Sequence, residues 1–144
     1  LALAAKKSNS TRRIFLITGD GELAEGSNWE AALAAAHYGL DNLVIINDKN
    51  NLQLAGPTRE IMNTDPLADK WRAFGMAVSE CQGNDMASVV AAIEGLQQKG
   101  KPNVIIANTT KGAGISFIQG RPEWHHRVPK GEEIALALEE LKDE

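Results

Sequence analysis

Cysteine is almost absent. Cys81 stands alone in 144 residues, so no internal disulfide can form, which suits a reducing, cytoplasmic setting. No histidine or lysine adjoins it, so it reads as a small buried apolar residue at a strand end rather than a reactive thiol. No apolar run reaches the length of a membrane span. Basic blocks are also missing. The 15 Lys and Arg are interspersed among 19 Asp and Glu, for a net charge of −4, which excludes a general nucleic-acid or membrane-surface binder. Leu1 to Lys7 is too short for a signal peptide and has its charges at the wrong end. There are no repeats, low-complexity tracts or linkers. The first residue is not Met, and Leu1 to Ala5 reads as the last turns of a helix already under way. The chain is therefore expected to be a fragment, residues 1–144 of a single domain whose upstream segment is missing.

What is present is an alternation of strand and helix. Strand one is expected over Arg13 to Thr18, and its unbroken apolar character suggests burial on both faces. A helix follows, with a capping-box pattern at Ser27 and Glu30 and with Trp29, Ala32, Leu33, Ala36 and Leu40 on one face. Gly39, Asp41 and Asn42 stop it, and Leu43 to Asn47 is strand two. Asp48 to Pro66 reads as a long loop. A short helix runs from Pro66 to about Phe74, and Met76 to Cys81 is strand three. Asp85 is placed to cap a helix over Met86 to Lys99 with Val89, Val90, Ile93 and Leu96 inward. Val104 to Asn108 is strand four, Thr109 to Lys130 a second long loop, and Glu132 to about Leu141 a last helix with Ile134, Leu136, Leu138 and Leu141. This order calls for an α/β fold, a parallel sheet flanked by helices. Both long loops follow strands, so both should lie at the sheet edge that carries Asp20.

The chemistry concentrates between Gly19 and Leu52. Asp20 sits between two glycines at a strand end, and Gly21 leaves the backbone open to a phosphate. Asn50 offers an amide oxygen, and the chain just after it can offer a carbonyl. One carboxylate, one amide and one carbonyl are hard oxygen ligands that suit Mg²⁺ or Ca²⁺ rather than zinc. Such a set implies a metal-bridged pyrophosphate. Each half is also compatible with a plain turn. A dinucleotide-binding module is the rival, but the pattern is Gly19-x-Gly21-x-x-x-x-Gly26, and Asp20 would repel a bare pyrophosphate. Only Asp48 is available, late, as the acidic residue such a module needs. No Walker pattern occurs, since Lys111-Gly112-Ala113-Gly114 lacks the spacing.

Gly19-Asp20-Gly21, 28 intervening residues and then Asn50-Asn51 resembles the thiamine diphosphate-binding motif. More narrowly, GDGELAEGSNWEAALAAAHYGLDNLVIINDKNNLQLAG resembles transketolase, and KGAGISF and EWHHRVP resemble later transketolase segments. The resemblance covers essentially the whole chain and is most like the N-terminal subunit of a split transketolase, shortened at its N-terminus.

That resemblance implies the thiamine diphosphate-binding (PP-domain) fold of transketolase type, incomplete here. It implies an enzyme that moves a two-carbon ketol unit between sugar phosphates with thiamine diphosphate and a divalent metal, Mg²⁺ or Ca²⁺. Asp20, Asn50 and the Leu52 carbonyl would hold the metal. Gly19, Asp20, Gly21, Glu22, Asn50, Lys111 and His125 would lie at the cofactor, with His125 and His126 as alternative catalytic imidazoles. Glu25, counted with them as catalytic, and Glu30 match acidic residues near a subunit interface where two cofactor sites communicate, though Glu30 also fits a simple helix cap. His37 is expected at the surface, Lys49 and Arg59 in solvent, and Trp71 and Phe74 in the core. The implied partners are a second copy of the chain and a pyrimidine-binding C-terminal subunit. Without the pyrimidine-binding half the chain is expected to be inactive. A non-catalytic interaction domain of the same fold is the remaining alternative.

Overall fold

The computed structural model describes residues 1–54, 56–96 and 99–142. Four strands form one parallel sheet: β1 (Ile14–Gly19), β2 (Leu43–Lys49), β5 (Ala77–Gln82) and β6 (Asn103–Asn108), in the order β1-β2-β6-β5. The helices are α1 (Ala2–Lys7), α2 (Gly26–His37), α3 (Thr58–Ile61), α4 (Leu67–Ala73), α5 (Met86–Glu94) and α6 (Glu132–Glu140). The expected α/β architecture is present. The segment after β2 is less irregular than anticipated, since it holds a small antiparallel pair, β3 (Leu52–Gln53) with β4 (Gly56–Pro57), and the single turn of α3. No helix among the described residues is long and apolar enough to cross a membrane.

Two apolar clusters flank the sheet. The larger gathers Leu23, Ala32, Ala35, Leu40, Leu67, Trp71 and Met76 against Ile45, Val104 and Ile106. The smaller packs Val89, Ile93 and Leu96 over Val44, Cys81 and Ile105. Alternate residues of β6 therefore serve opposite layers, as strand geometry requires. Trp29 lies 4.9 Å from Trp71 and 5.1 Å from Phe74, ring centre to ring centre. Cys81 is buried, and burial pushes its thiol pKa upward.

Several local expectations are corrected. β1 is not buried on both faces: it is an edge strand, and Phe15, Leu16 and Ile17 are exposed. The capping box does not form. Helix α2 starts at Gly26, with Glu25 in the cap position and no side-chain cap bond, so Ser27 already lies inside the helix. On α2 the buried positions are Ala32 and Ala35, while Leu33 points outward. Helix α5 ends at Glu94, Val90 is exposed, and residues 97–98 of the expected helix lie outside the described residues. Lys49 is not simply solvated, because its Nζ pairs with Asp65 at 2.8 Å. Asp85 does cap α5, accepting from Ala87 N at 3.1 Å. His37 and Arg59 are at the surface and Trp71 is in the core, as their sequence context implies.

Candidate functional site: a metal-diphosphate cleft at the carboxyl end of the sheet

Parallel pairing explains how residues so far apart in sequence meet. β1 and β2 are in register through Gly19↔Asp48. The residues that follow each strand therefore emerge side by side, and Asp20 N donates to the Asp48 carbonyl at 3.0 Å. Behind this junction is a buried polar pair. Asn47 Nδ2 donates to Thr18 Oγ1 at 3.2 Å and to the Thr18 carbonyl at 3.3 Å.

Asp20 is buried, 2 % exposed. Its Oδ1 accepts from Gly21 N at 2.8 Å and its Oδ2 from Asn51 N at 2.6 Å. No ion pair among the described residues involves it. Burial raises its pKa, the two backbone N–H groups act in the opposite sense, and the Asp48 carboxylate raises it further. The charged form thus lacks a cation that would compensate it. Asn50 is oriented by Asp48: its Nδ2 donates to Asp48 Oδ1 at 3.3 Å, while its Oδ1 accepts from Leu52 N at 3.0 Å. The Thr109 hydroxyl bonds the same Asp48 oxygen, which ties β6 to the arrangement. Asn51 takes a positive φ of 60°, a backbone state that asparagine tolerates better than most residues.

A cleft of about 400 Å³ opens beside these groups. Gly19, Asp20, Gly21, Glu22, Glu25, Asn50, Leu52, Lys111 and His125 all line it. Both long post-strand segments therefore reach the edge that carries Asp20, as the alternation of elements implied. Glu22 is turned back onto the strand end, its Oε2 accepting from Gly19 N at 3.1 Å. Lys111 is placed by a tight turn: Gly120 N donates to its carbonyl at 2.8 Å, and Gly112 has φ +69° with Ile118 2.5 Å from where a Cβ would lie. His125 ends a 3-10 turn, Pro122–His125, that is anchored by its neighbour Trp124. Trp124 is buried between the Phe117 ring, 5.4 Å away, and the Arg127 guanidinium, 4.2 Å above it.

Of the two adjacent imidazoles, His125 lines the cleft and His126 is not among its lining residues. Their rings meet edge to face at 4.5 Å. Desolvation, and then the Lys111 and His126 cations, hold the His125 pKa below the usual histidine value. Glu30 lies outside the cleft on the exposed side of α2. Nothing in the sequence singles out Thr18, Asn47, Gln53 or Thr109 as part of the site. Asp48, which in the sequence suggests only a ribose ligand, steers Asn50 instead.

The donor set fits a hard divalent cation. A buried carboxylate without a counter-charge, an amide oxygen held in place and a nearby main chain form an all-oxygen half-shell. Among the described residues no three His, Cys, Asp or Glu side chains cluster as a metal site. A larger groove of about 760 Å³ runs along β5 and α5 but gathers no comparable set, so chemistry rather than size marks the smaller cleft.

Fold and site together define an open α/β domain with a polar, oxygen-lined cleft where its parallel strands end. The family model for the transketolase thiamine diphosphate-binding domain matches residues 4–142, and the chain belongs to that family. It is 73 % identical, over 144 residues, to an apulose-4-phosphate transketolase subunit of Actinobacillus succinogenes, covering all of this chain and 52 % of that protein. It is 40 % identical to the 6-deoxy-6-sulfo-D-fructose transketolase subunit SqwG of a Clostridium species, over all of this chain and 53 % of that protein. The crystal structure of Campylobacter jejuni transketolase superposes with a TM-score of 0.87 at 32 % identity, over 96 % of this chain and 23 % of that one. The chain thus spans about half the length of the curated subunits it matches.

Proposed function

We propose that this chain forms the diphosphate- and metal-binding part of a two-subunit transketolase that moves a two-carbon ketol unit between sugar phosphates. The observation that carries the proposal is the buried Asp20 carboxylate, without an ion-pair partner among the described residues and next to the oriented Asn50. In this reading Asp20, Asn50 and the Leu52 carbonyl hold a magnesium ion. Gly19 to Glu22 bring backbone against the diphosphate, and Lys111 balances its remaining charge. His125, whose pKa is held below the usual histidine value by desolvation and the neighbouring Lys111 and His126, accepts or donates a proton at the cleft, with His126 beside it. Glu25 stands at the rim, where a second subunit would meet the site. When bound, thiamine diphosphate supplies the carbanion stabilisation that lets a carbon–carbon bond beside a carbonyl break and re-form.

A partner subunit supplies the pyrimidine-binding half, and this chain alone is inactive. Relatives that are named as transketolase subunits rather than as whole enzymes support this division. The exposed Phe15, Leu16, Ile17 and Leu33 support contact with a second copy or with the partner. The lone buried thiol suits a cytoplasmic enzyme. Identity at 73 % favours apulose 4-phosphate as the sugar substrate, whereas relatives at 40 % are named for two different sugars.

The test is calorimetric titration of the chain with thiamine diphosphate, with and without Mg²⁺. Metal-dependent binding is expected, and Asp20→Ala should abolish it. Unchanged affinity in Asp20→Ala would remove Asp20 from the site, and NADH binding without metal-dependent diphosphate binding would overturn the whole assignment. Adding the partner subunit should restore ketol transfer from apulose 4-phosphate.

A further inference from the structure

One side chain at the heart of the cleft has no role in the motif. Gln53 ends β3 and lies across the Cα of Gly21. A Cβ built on Gly21 would stand 2.8 Å from Gln53 Cγ, 2.9 Å from its Cβ and 3.3 Å from its Cδ. Gly21 is therefore glycine partly because Gln53 occupies the space a side chain would need. Gln53 lines the same cleft as Asp20, Asn50 and Lys111. Its Oε1 is buried and has no hydrogen-bond partner among the described residues. That burial turns the carbonyl end of the amide away from the cleft, and β3 and β4 join through backbone at Gln53↔Gly56, so sheet pairing does not require a glutamine there.

We infer that Gln53 is a further diphosphate-binding residue, its carboxamide laid over Gly21 so that the Nε2–H group donates to a diphosphate oxygen. This rests on the reading of the cleft as a diphosphate site. With Oε1 sealed inward, the end of the amide left for the cleft is the donor end. A neutral donor suits this place. It adds a hydrogen bond to an anion already matched by a metal ion and Lys111, and adds no charge beside Asp20. Gly21 and Gln53 then act as one unit, the glycine making room and the amide making the contact. Were the amide reversed, an acceptor would face the cleft instead, and a carboxylate would serve equally well there.

The experiment is titration of the full chain, at fixed Mg²⁺, with thiamine diphosphate and separately with inorganic pyrophosphate, for wild type, Gln53→Leu, Gln53→Glu and Gln53→Ala. Gln53→Leu and Gln53→Ala should weaken both ligands about 10-fold, the loss of one hydrogen bond to a charged group. Gln53→Glu should weaken both by about 100-fold, since it replaces a donor with a like charge. Mn²⁺ binding without diphosphate, read by electron paramagnetic resonance, should be unchanged in Gln53→Leu. Gly21→Ala should weaken pyrophosphate binding more in the wild-type background than in Gln53→Gly, where both the Cβ and the Cγ that crowd Gly21 are gone. Gln53→Ala adds neither bulk nor charge and keeps the test open if another variant fails to fold. Folded Leu and Ala variants that bind pyrophosphate like wild type, or a Glu variant that binds it equally well, would overturn the assignment. A wild-type chain that binds no pyrophosphate would overturn the reading of the cleft itself, and this assignment with it.

Discussion

β1 and β6 are written in nearly the same apolar alphabet and meet opposite fates. Val104, Ile105, Ile106 and Ala107 of β6 are at most 5 % exposed, while Phe15, Leu16 and Ile17 of β1 are 45–70 % exposed. β6 lies between β2 and β5 with helices packed on both faces, whereas β1 is an edge strand. An apolar run therefore reports the affinity of a strand for cover, and the number of layers present decides whether that affinity is met. The same contrast marks which part of the domain carries its stability and which part presents surface.

The largest effect is expected from truncating the buried strand, β6. Ile105→Ala should cost about 2–5 kcal/mol, the range for removing a large aliphatic side chain from a close-packed interior, measured as a fall in the urea midpoint. A loss under about 1 kcal/mol would mean that the centre of the sheet is loosely packed and that β6 differs little from β1.

A smaller effect is expected where the sheet is tied to its surroundings by charge. The Asp41 carboxylate accepts from Lys6 Nζ of α1 at 2.8 Å and from Gly100 N, before β6, at 2.9 Å. These contacts, the Lys6 hydrogen bond foremost, hold its pKa below the ordinary 3.8. The unfolded chain then takes up the proton first as pH falls. The stabilisation is complete above the ordinary carboxyl value and disappears as pH drops through the lower folded value. Between about pH 5 and pH 3 the wild type should lose stability that Asp41→Asn does not lose. Because the pair is partly open to solvent, the difference should be no more than about 1 kcal/mol. Parallel acid profiles for the two proteins would show that the clamp is not made in solution.

The sequence resolves element order and the location of the site far better than burial. Strand and helix periods place β2, β5 and β6 to within one or two residues, and the Asp85 cap is visible because Asp before an apolar run has one local use. Asp20 and Asn50 can be paired from sequence because adjacent parallel strands of matched length deliver their next residues together. The Ser27–Glu30 cap fails because the local pattern is indifferent to where the preceding 3-10 turn, Gly21–Ala24, releases the chain. Leu33 looks inward in the sequence because an alanine-rich helix offers few apolar landmarks, and Ala35 takes the buried place. Gln53 carries no sequence signal at all. Its significance comes from lying over Gly21, a contact between residues brought together only by the fold. The Trp-His match favours His125 over His126 in the sequence, and the turn anchored by Trp124 sets His125 in the cleft lining.

The smallest effect is expected on the edge strand, β1. Ile17 is 70 % exposed on β1, so Ile17→Ser removes little buried area and should change the stability of the 144-residue chain by no more than about 0.5 kcal/mol. It should nevertheless reduce self-association at micromolar concentration, measured by light scattering, since Phe15, Leu16 and Ile17 form an apolar edge that gains from cover. The two readouts fail in different ways. A stability loss above about 2 kcal/mol would show that a layer already covers β1, placing it with β6 and removing the contrast. Unchanged self-association would leave β1 an edge strand but move the contact between copies elsewhere, with the outward-facing Leu33 and Tyr38 of the α2 end next in line. Repeating the urea titration with the partner subunit present then separates the two occupants. If the partner covers β1, Ile17→Ser becomes costly only in the complex; if a second copy does, the cost follows the concentration of this chain.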